Sequence, residues 1–490
     1  MDALRPKLRW LTENTVTTII AEARRVLAEI GVFVENKTAT GLLLDSGCRQ
    51  TADRRRILFA EDLVDRALST APGCVRLYDR DGKEAMVLEG DNIHFNPGSA
   101  ALHVYDAEKA CIRDGLSTDL VPFFTLTDVL PHYAAQSTGI IPADIPEEMG
   151  DRYRLFAALQ CSKKPVVTGT FRVDGFAIMK DMLLVIRGSA RELAAKPLAI
   201  FDCCPSPPLK WSDLTCQSLL DCADSGQPAE LVSMPLTGAT APVTLCGALV
   251  QHCAESLSGI VIHQLRKPGA PIIYGGSPAF FDMRKGTTPM GAFETMMIDG
   301  AYAQIGKSLG LPTHAYMGLS DSKAVDYQAG FETSAGIVLA ALSGINNISG
   351  PGMMEFESCQ SLEKMVLDHE VCGYAKRLVA GIIPRDEPLA FDVLTEGLAA
   401  GHFMSLSHTL QWFKKEGYYP DRVVNREVRE KWVETGSKDS LAAARNRVSE
   451  LLKPGIPNLL DDQRRKALRT IIDADARAHG LSLMPELTIP

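Results

Sequence analysis

The chain has 490 residues, of which 46% are hydrophobic and 23% charged, a composition typical of a folded globular protein and not of a disordered or fibrous one. Asp and Glu outnumber Lys and Arg by 60 to 51, so the net charge at pH 7 is −9, and the sequence contains no basic run. Since nucleic-acid binding relies on the neutralisation of phosphates, we expect no nucleic-acid partner.

The amino-terminal segment Met1–Leu11 has no apolar stretch before a small-residue cleavage site, and no segment reaches the roughly 18 apolar residues of a membrane-spanning helix. We therefore predict a cytoplasmic protein without membrane association. The 12 cysteines form no CxxC pair and stand mostly among apolar residues, as do Cys203, Cys216, Cys246 and Cys253. Reduced core thiols are therefore expected rather than a disulfide framework.

The sequence pattern of residues 1–90 predicts an amino-terminal helical segment that precedes the main domain. Apolar periodicity indicates helices over Val16–Ile30 and Ala60–Thr70, followed by short strands around Val75–Val87. No long Pro-, Ser- or Gly-rich linker follows, so we expect this segment to pack on the next domain rather than to form an independent module.

Residues 91–385 repeat one pattern: a short apolar run, a turn, and an amphipathic stretch of helical length. Short apolar strands that alternate with helices indicate parallel strands buried on both faces, and eight such units predict a closed (β/α)8 TIM barrel of the α/β class. The eight runs are Ile93–Phe95, Thr138–Ile141, Val166–Thr168, Leu198–Asp202, Glu230–Met234, Ile272–Tyr274, His314–Met317 and Asn347–Ser349.

A doubly wound open sheet is the alternative architecture for this pattern. It would predict a GxGxxG phosphate-binding turn after the first strand, but the turn there reads Asn96-Pro97-Gly98-Ser99. Residues 386–490, the third segment of the chain, are helical and charge-rich, with the clearest helices over Ala442–Leu452 and Asp461–His479. We expect this extension to pack on the barrel as well.

Three short motifs are better explained by structure than by chemistry. The Gly306-Lys307-Ser308 tripeptide fits a loose phosphate-loop pattern, but it lies in a helical run with no strand before it. His369-Glu370 lies in a helical stretch and is expected to be a half-buried pair. Cys203-Cys204 ends a strand, where adjacent side chains point to opposite faces, so no bound zinc or other metal is expected.

Aromatic residues dominate the predicted carboxyl ends of the strands, where barrels carry their active sites. A pocket lined by aromatic rings suits a quaternary ammonium ion, which ring quadrupoles attract. The predicted cage consists of Phe95, Tyr274, Tyr316 and Phe356, with Trp211 as a further member, and no single residue is assigned a catalytic role.

Several loops resemble the trimethylamine methyltransferase superfamily. The matching segments follow one another in order from Gly98-Ser99-Ala100 to about Gly436, with the late Trp432 among the last of them, which makes chance similarity improbable. Between these two lie Pro235-Leu236-Thr237-Gly238-Ala239-Thr240-Ala241-Pro242-Val243-Thr244, Gly275-Gly276-Ser277-Pro278-Ala279 with Asp282-Met283-Arg284 and Gly286, Ser320-Asp321-Ser322-Lys323 with Asp326, Gln328-Ala329-Gly330 and Glu332, Gly401-His402-Phe403, and His408-Thr409-Leu410.

The resemblance implies a (β/α)8 enzyme that passes a methyl group from an amine to the Co(I) centre of a separate corrinoid protein. Cob(I)alamin or a related corrinoid would thus be supplied by a partner and not bound tightly. The founding branch carries a pyrrolysine and uses trimethylamine, whereas all 490 residues here are standard amino acids. The branch without pyrrolysine resembles methyltransferases for glycine betaine, proline betaine and carnitine.

A quaternary amine departs as a neutral tertiary amine, so its demethylation needs no acid and no covalent adduct. A betaine carboxylate would need donors, for which the candidates are His94, His314, Lys323 and the backbone amides near Gly350-Pro351-Gly352. A homo-oligomer is expected. Two other functions remain open: a Schiff-base barrel lyase that uses Lys323, and a quaternary-ammonium binding protein without turnover.

Overall fold

Eight short parallel strands form a closed barrel in the computed structural model, which describes residues 3–487. Strands β2–β6 pair in one sheet and β7, β8 and β1 in another, and the bridges Phe95–Tyr133 and Tyr274–Thr313 join the two sheets. The predicted (β/α)8 fold is confirmed. The strands are β1 His94–Phe95, β2 Gln136–Ser137, β3 Val166–Gly169, β4 Ala199–Cys203, β5 Ala229–Leu231, β6 Ile272–Ile273, β7 His314–Tyr316 and β8 Asn347–Ser349.

The second strand lies just before the run that the sequence predicts. Strand β2 covers Gln136–Ser137 instead of Thr138–Ile141. Its residues are polar but satisfied: the Gln136 amide donates to the Phe124 carbonyl (2.8 Å) and the Ser137 hydroxyl donates to the Gly98 carbonyl (2.7 Å). Hydrogen bonding therefore allows a polar pair to form part of the barrel wall.

Each barrel strand is followed by at least one helix, and further helices flank the barrel at both ends of the chain. The amino-terminal helices are α1 Glu13–Arg25, α2 Lys37–Asp45 and α3 Leu63–Thr70. The barrel helices are α4 Ser117–Val129, α5 Gly150–Cys161, α6 Gly175–Arg187, α7 Ala190–Ala195, α8 Asp213–Ser225, α9 Leu245–Arg266, α10 Phe293–Ser308, α11 Tyr327–Ser343 and α12 Leu362–Val379. The carboxyl-terminal helices are α13 Phe391–Ala400, α14 Ser407–Glu416, α15 Arg429–Glu434, α16 Ser440–Leu452 and α17 Asp462–Ala478.

Short strands outside the barrel wall form hairpins, two-stranded contacts and one four-stranded sheet, in which Cys359–Gln360 pairs with His103–Val104. The Gly306-Lys307-Ser308 tripeptide ends α10, as the helical interpretation predicts. The paired strands are Arg49–Gln50 with Ile57–Leu58, Val75–Tyr78 with Glu84–Leu88, Phe33–Val34 with Lys210–Trp211, Leu236–Thr237 with Ala279–Phe280, His103–Asp106 with Cys111–Asp114, and Met353–Met354 with Cys359–Gln360.

The hairpin Val75–Leu88 closes the amino-terminal end of the barrel. Its buried residues form one apolar cluster with Val167, Ile200 and Ile273, which point into the barrel from β3, β4 and β6. Because side chains alternate along a strand, Asp202 points inward on β4 like Ile200, two residues further toward the carboxyl end. The barrel interior is therefore apolar at its closed end and polar at its mouth.

Buried ionic contacts attach the carboxyl-terminal extension to the barrel. Arg152 on α5 is fully buried, and its guanidinium pairs with Asp475 on α17 (2.9 Å) and with Asp174 before α6 (2.8 Å). Such a pair makes docking of α17 specific, because either partner left alone would be an uncompensated buried charge. Helix α9 is long and apolar enough to span a membrane by composition, but 72% of its apolar window is buried inside the fold, where it packs against α1, α3 and α8.

Candidate active site

A network of polar side chains crosses the barrel interior between the strands. The Asn347 amide on β8 donates to Glu230 on β5 (2.9 Å) and accepts from the Asn96 amide (2.8 Å). Ser349 donates to Asn96 (3.0 Å) and contacts His314 Nε2 (3.1 Å). Since these side chains come from four strands or strand ends, the network holds the carboxyl group of Glu230 in one position.

Two carboxyl groups stand side by side at the mouth of the barrel. Asp202 on β4 and Glu230 on β5 are register partners on adjacent parallel strands, and both point inward. The Tyr316 hydroxyl on β7 donates to Asp202 Oδ2 (3.3 Å) and contacts the Ser99 hydroxyl (3.2 Å). The second oxygen, Asp202 Oδ1, is buried and lies beside the Glu230 carboxyl group, with which it can share a proton, and no other group among the described residues donates to it.

A third carboxyl group reaches the same space from the loop after β8. Glu357 follows Glu355 and Phe356, and all three have positive φ angles of 52°, 55° and 74°, a conformation that costs energy for residues other than glycine. Strain of this kind persists where the surrounding structure imposes it, commonly at functional sites. The strained loop thus carries an acidic side chain to the mouth.

Burial controls the protonation of these groups. It raises the pKa of Asp202 and of Glu230, and for Glu230 the nearby charge of Asp202 raises the pKa further. Burial, together with the charge of Asp202, also raises the pKa of Glu357 to about 8. Asp202 and Glu357 nevertheless keep solvent-accessible surface, so they border an open space. A cation placed in that space would gain ionised carboxylates as partners.

Three residues of the predicted aromatic cage face away from this space. The Tyr274 ring lies against His252 on α9 and Tyr302 on α10, with ring centroids 5.5 and 6.4 Å away. The Trp211 indole donates to Ser258 on α9 (2.9 Å). The Phe95 ring lies 5.8 Å from Lys376 Nζ on α12. Because strand residues alternate in direction, Tyr274 and Phe95 pack between the wall and the helices, while Trp211 lies outside the wall against α9, which corrects the expected five-ring arrangement.

The two candidate histidines also lie away from the mouth. His94 Nε2 contacts the Val87 carbonyl of the closing hairpin (3.1 Å), at the opposite end of the barrel. His314 points inward but is fully buried beside Glu230, 3.2 Å from its carboxyl group, and burial lowers the pKa of His314 to about 3. It is therefore a neutral member of the internal network and not a free donor for a substrate carboxylate.

Tyr316, Phe356 and Lys323 are the predicted residues that the structure places at the mouth. Tyr316 contacts Asp202 through its hydroxyl group. Lys323 is exposed on the rim, where its ammonium group lies 3.8 Å from the centre of the Phe356 ring and donates to the Asp321 carbonyl (2.7 Å). A lysine on the rim that already makes these contacts is not placed to form a Schiff base inside the barrel.

The sequence interpretation missed the three carboxyl groups that dominate the mouth. Two of them carried a signal: Asp202 and Glu230 each stand within an otherwise apolar strand run, where a charged residue needs a functional or structural reason. No sequence pattern pointed to Glu357, because the position of its side chain depends on a strained loop. The residues 3–487 contain no group of three or more His, Cys, Asp or Glu residues placed to hold a metal ion.

Exposed apolar side chains surround the mouth. They belong to the loops after five strands and to the first two turns of the following helices, so together they form an apolar rim around the carboxylates. The apolar rim consists of Leu102, Leu116, Phe171, Val173, Met234, Val243, Met283, Phe293, Met297, Tyr327 and Phe331.

Comparison with known proteins shows similarity along almost the whole chain. The family model described as trimethylamine methyltransferase matches residues 2–480. Trimethylamine methyltransferase MttB of Desulfitobacterium hafniense (strain DSM 10664 / DCB-2) is 28% identical over 475 residues, covering 97% of this chain and 95% of its own. Glycine betaine methyltransferase of Desulfitobacterium hafniense (strain Y51) is 28% identical, with coverages of 94% and 96%. Trimethylamine methyltransferase MttB of Methanosarcina barkeri is 30% identical, with coverages of 97% and 97%.

Proposed function

Because the chain belongs to the trimethylamine methyltransferase family, we propose that it transfers a methyl group from a quaternary amine to the Co(I) centre of a corrinoid protein. The substrate that we propose is glycine betaine or a related betaine. The observation that carries this proposal is the open space bordered by Asp202 and Glu357, two carboxyl groups suited to a permanent cation, with Glu230 buried beside Asp202.

The chemistry requires little from the protein beyond positioning. A corrinoid in the Co(I) state supplies the electron pair that accepts the methyl group, and the electrons of the broken C–N bond stay with the departing tertiary amine. The carboxylates hold the ammonium group, and Tyr316 orients Asp202 through its hydroxyl. With the cation held in the mouth, one methyl group would face outward.

The apolar rim supports a corrinoid supplied by a partner protein. An exposed apolar patch around a site is typical of protein interaction surfaces, and the three methionines in the rim can adapt to a partner's shape. Docking there would cover the carboxylates and exclude water from the transfer. A cytoplasmic location is part of the same proposal.

The sequence contains no pyrrolysine among its 490 residues, which separates it from the trimethylamine-using branch that it resembles. Trimethylamine also lacks a permanent charge and would be a poorer partner for the carboxylates. The experiment is a screen in which purified protein, cob(I)alamin and single methylammonium compounds are followed spectroscopically for methylcobalamin. We expect methylation with glycine betaine or carnitine. Preferential demethylation of trimethylamine would refute the substrate assignment, and betaine binding without methyl transfer would identify a binding protein instead.

We further propose that the chain forms a homo-oligomer through residues 382–436, which we call the C-terminal arm. Helices α14 and α15 of the arm contain no buried residue, and α13 contains one, Gly397. The arm exposes large apolar side chains that a partner would cover. They are Ile382, Leu389, Phe391, Leu394, Leu398, Phe403, Met404, Leu410, Phe413, Tyr419, Val428 and Val433.

The arm is attached at the closed end of the barrel, which favours a second copy of the chain as its partner. Tyr418 contacts His132, which precedes β2, at 3.2 Å and donates to Glu370 on α12 (2.9 Å). Arg377 near the end of α12 donates to the Glu416 carbonyl (3.0 Å). A corrinoid protein docked at the mouth would lie at the opposite end and would leave the arm uncovered.

The oligomer is tested by the double variant Phe391→Asp/Leu398→Asp, which places two charges on α13. We expect the native mass, measured by light scattering after gel filtration, to fall from that of an oligomer to that of a monomer. The variant Tyr327→Asp is the matched control, because it changes an exposed aromatic residue of the apolar rim and leaves the arm intact. A monomeric wild type, or an unchanged mass in the double variant, would contradict the proposal.

A further inference from the structure

Arg154 is a buried cation at the barrel mouth with no carboxylate partner. It lies on α5, its residue is 1% exposed, and no carboxylate among the described residues lies within 4.0 Å of its guanidinium. Its hydrogen bonds go to backbone carbonyls, from Nη1 to Thr138 (2.7 Å) and from Nε to Gly150 (3.2 Å). A buried charge without an ionic partner is costly, so the position calls for an explanation.

The neighbouring Arg152 shows what a structural arginine looks like in the same helix. Arg152 points away from the barrel and pairs with Asp475 and Asp174. The carboxylate of Asp151, which could have served Arg154, accepts instead from the backbone amides of Arg152 and Phe171, both at 2.8 Å. The charge of Arg154 is therefore left available.

Arg154 lies near Asp202: burial lowers the pKa of Arg154 to about 10, and the charges of Asp151 and Asp202 oppose this shift. The carbonyl partner of Arg154, Thr138, follows β2, and the Phe171 ring beyond β3 covers the guanidinium at 4.5 Å. Strand β3 lies between β2 and β4, and its inward-facing residue at the mouth is Gly169. A Cβ atom added to Gly169 would lie 3.6 Å from the Asp202 Cβ. Because glycine has no side chain, no side-chain atoms of β3 fill the space between Arg154 and Asp202.

We infer that Arg154 binds the carboxylate of a zwitterionic substrate whose trimethylammonium group lies at Asp202 and Glu357. This inference rests on the proposed function and adds to it the residue that binds the carboxylate of a betaine. The guanidinium forms strong charge-assisted hydrogen bonds to carboxylates, while Asp202 and Glu357 make the neighbouring part of the mouth acidic. A substrate with charges of both signs matches both parts of the mouth, whereas a simple quaternary cation matches only one.

Paired substrates test this role. Glycine betaine and tetramethylammonium share the quaternary nitrogen, but tetramethylammonium has no carboxylate. In Arg154→Gln we expect the dissociation constant and KM for glycine betaine to rise roughly 10- to 100-fold, as for the loss of a hydrogen bond to a charged group, with no loss for tetramethylammonium. Arg154→Lys keeps the charge and should recover part of the betaine affinity.

The matched control is Arg172→Gln, which removes an exposed arginine from the neighbouring loop and should change neither ligand. Binding is measured by calorimetry on the full-length protein, so the role of Arg154 is tested even without turnover. Equal losses for both ligands, or no loss for glycine betaine, in a folded Arg154→Gln or Arg154→Lys variant would overturn the inference. Wild-type protein that binds betaine but methylates no cobalt would refute the proposed function and leave the role of Arg154 standing.

Discussion

Replacing Asp202 by Asn is expected to lower kcat/KM for glycine betaine demethylation by about 100-fold, equivalent to ~2.7 kcal/mol of lost transition-state stabilisation. A charge pair at about 4 Å in a partly buried site gains several kcal/mol at the effective dielectric of proteins, and Asn keeps the size and the hydrogen bond to Tyr316 without the charge. The double variant Asp202→Asn/Glu357→Gln should reduce transfer further, since two carboxylates would be lost.

The matched control is Asp221→Asn on α8. Asp221 is a partly buried carboxyl group as well, but it accepts from Gln217 outside the barrel (2.9 Å) and should not influence the cation. Initial rates of methylcobalamin formation at several betaine concentrations separate effects on kcat from effects on KM. Rates in Asp202→Asn equal to those of Asp221→Asn would show that the cation is held elsewhere.

The affinity for quaternary ammonium ligands is expected to rise with pH between about pH 6 and pH 8. In the empty protein the raised pKa values, about 7 for Asp202 and about 8 for Glu357, keep Asp202 about half protonated and Glu357 mostly protonated at neutral pH. A bound cation favours the ionised forms, so binding releases protons. Each released proton makes the association constant rise up to tenfold per pH unit below the pKa. Titration calorimetry in buffers of different ionisation enthalpy measures the proton release directly.

The same linkage predicts how stability depends on pH. A carboxyl group whose pKa is raised by folding holds its proton in the folded state while the unfolded chain releases it, so the free energy of unfolding falls as the pH rises from about 4.5 through about 8. Saturating tetramethylammonium should reduce this decrease in the free energy of unfolding. The variant Glu357→Gln should remove the part of the decrease that Glu357 contributes. Urea unfolding at a series of pH values provides the measurement. The same slope with and without ligand would contradict the assignment of the carboxyl groups to the cation site.

The sequence by itself determined the barrel, because the barrel depends on local patterns. Short apolar runs, turns and amphipathic helices repeat along residues 91–385, and right-handed parallel connections leave few ways to arrange eight such units. The family was equally accessible, since its motifs are contiguous segments such as Gly275-Gly276-Ser277. The predicted boundary of β2 was wrong, because the polar residues Gln136 and Ser137 form this strand in place of the expected run Thr138–Ile141.

Only the tertiary structure decided which strand-end side chains meet. A shift of one residue along a strand turns a side chain from the interior to the helices, and for this reason Tyr274 and Phe95 face outward while Tyr316 and Asp202 face the mouth. Arg154 comes from a helix, so no strand pattern could place it there. The sequence therefore pointed to the mouth of a barrel as the candidate site, and packing across the barrel decided that carboxyl groups line this mouth where aromatic rings were expected.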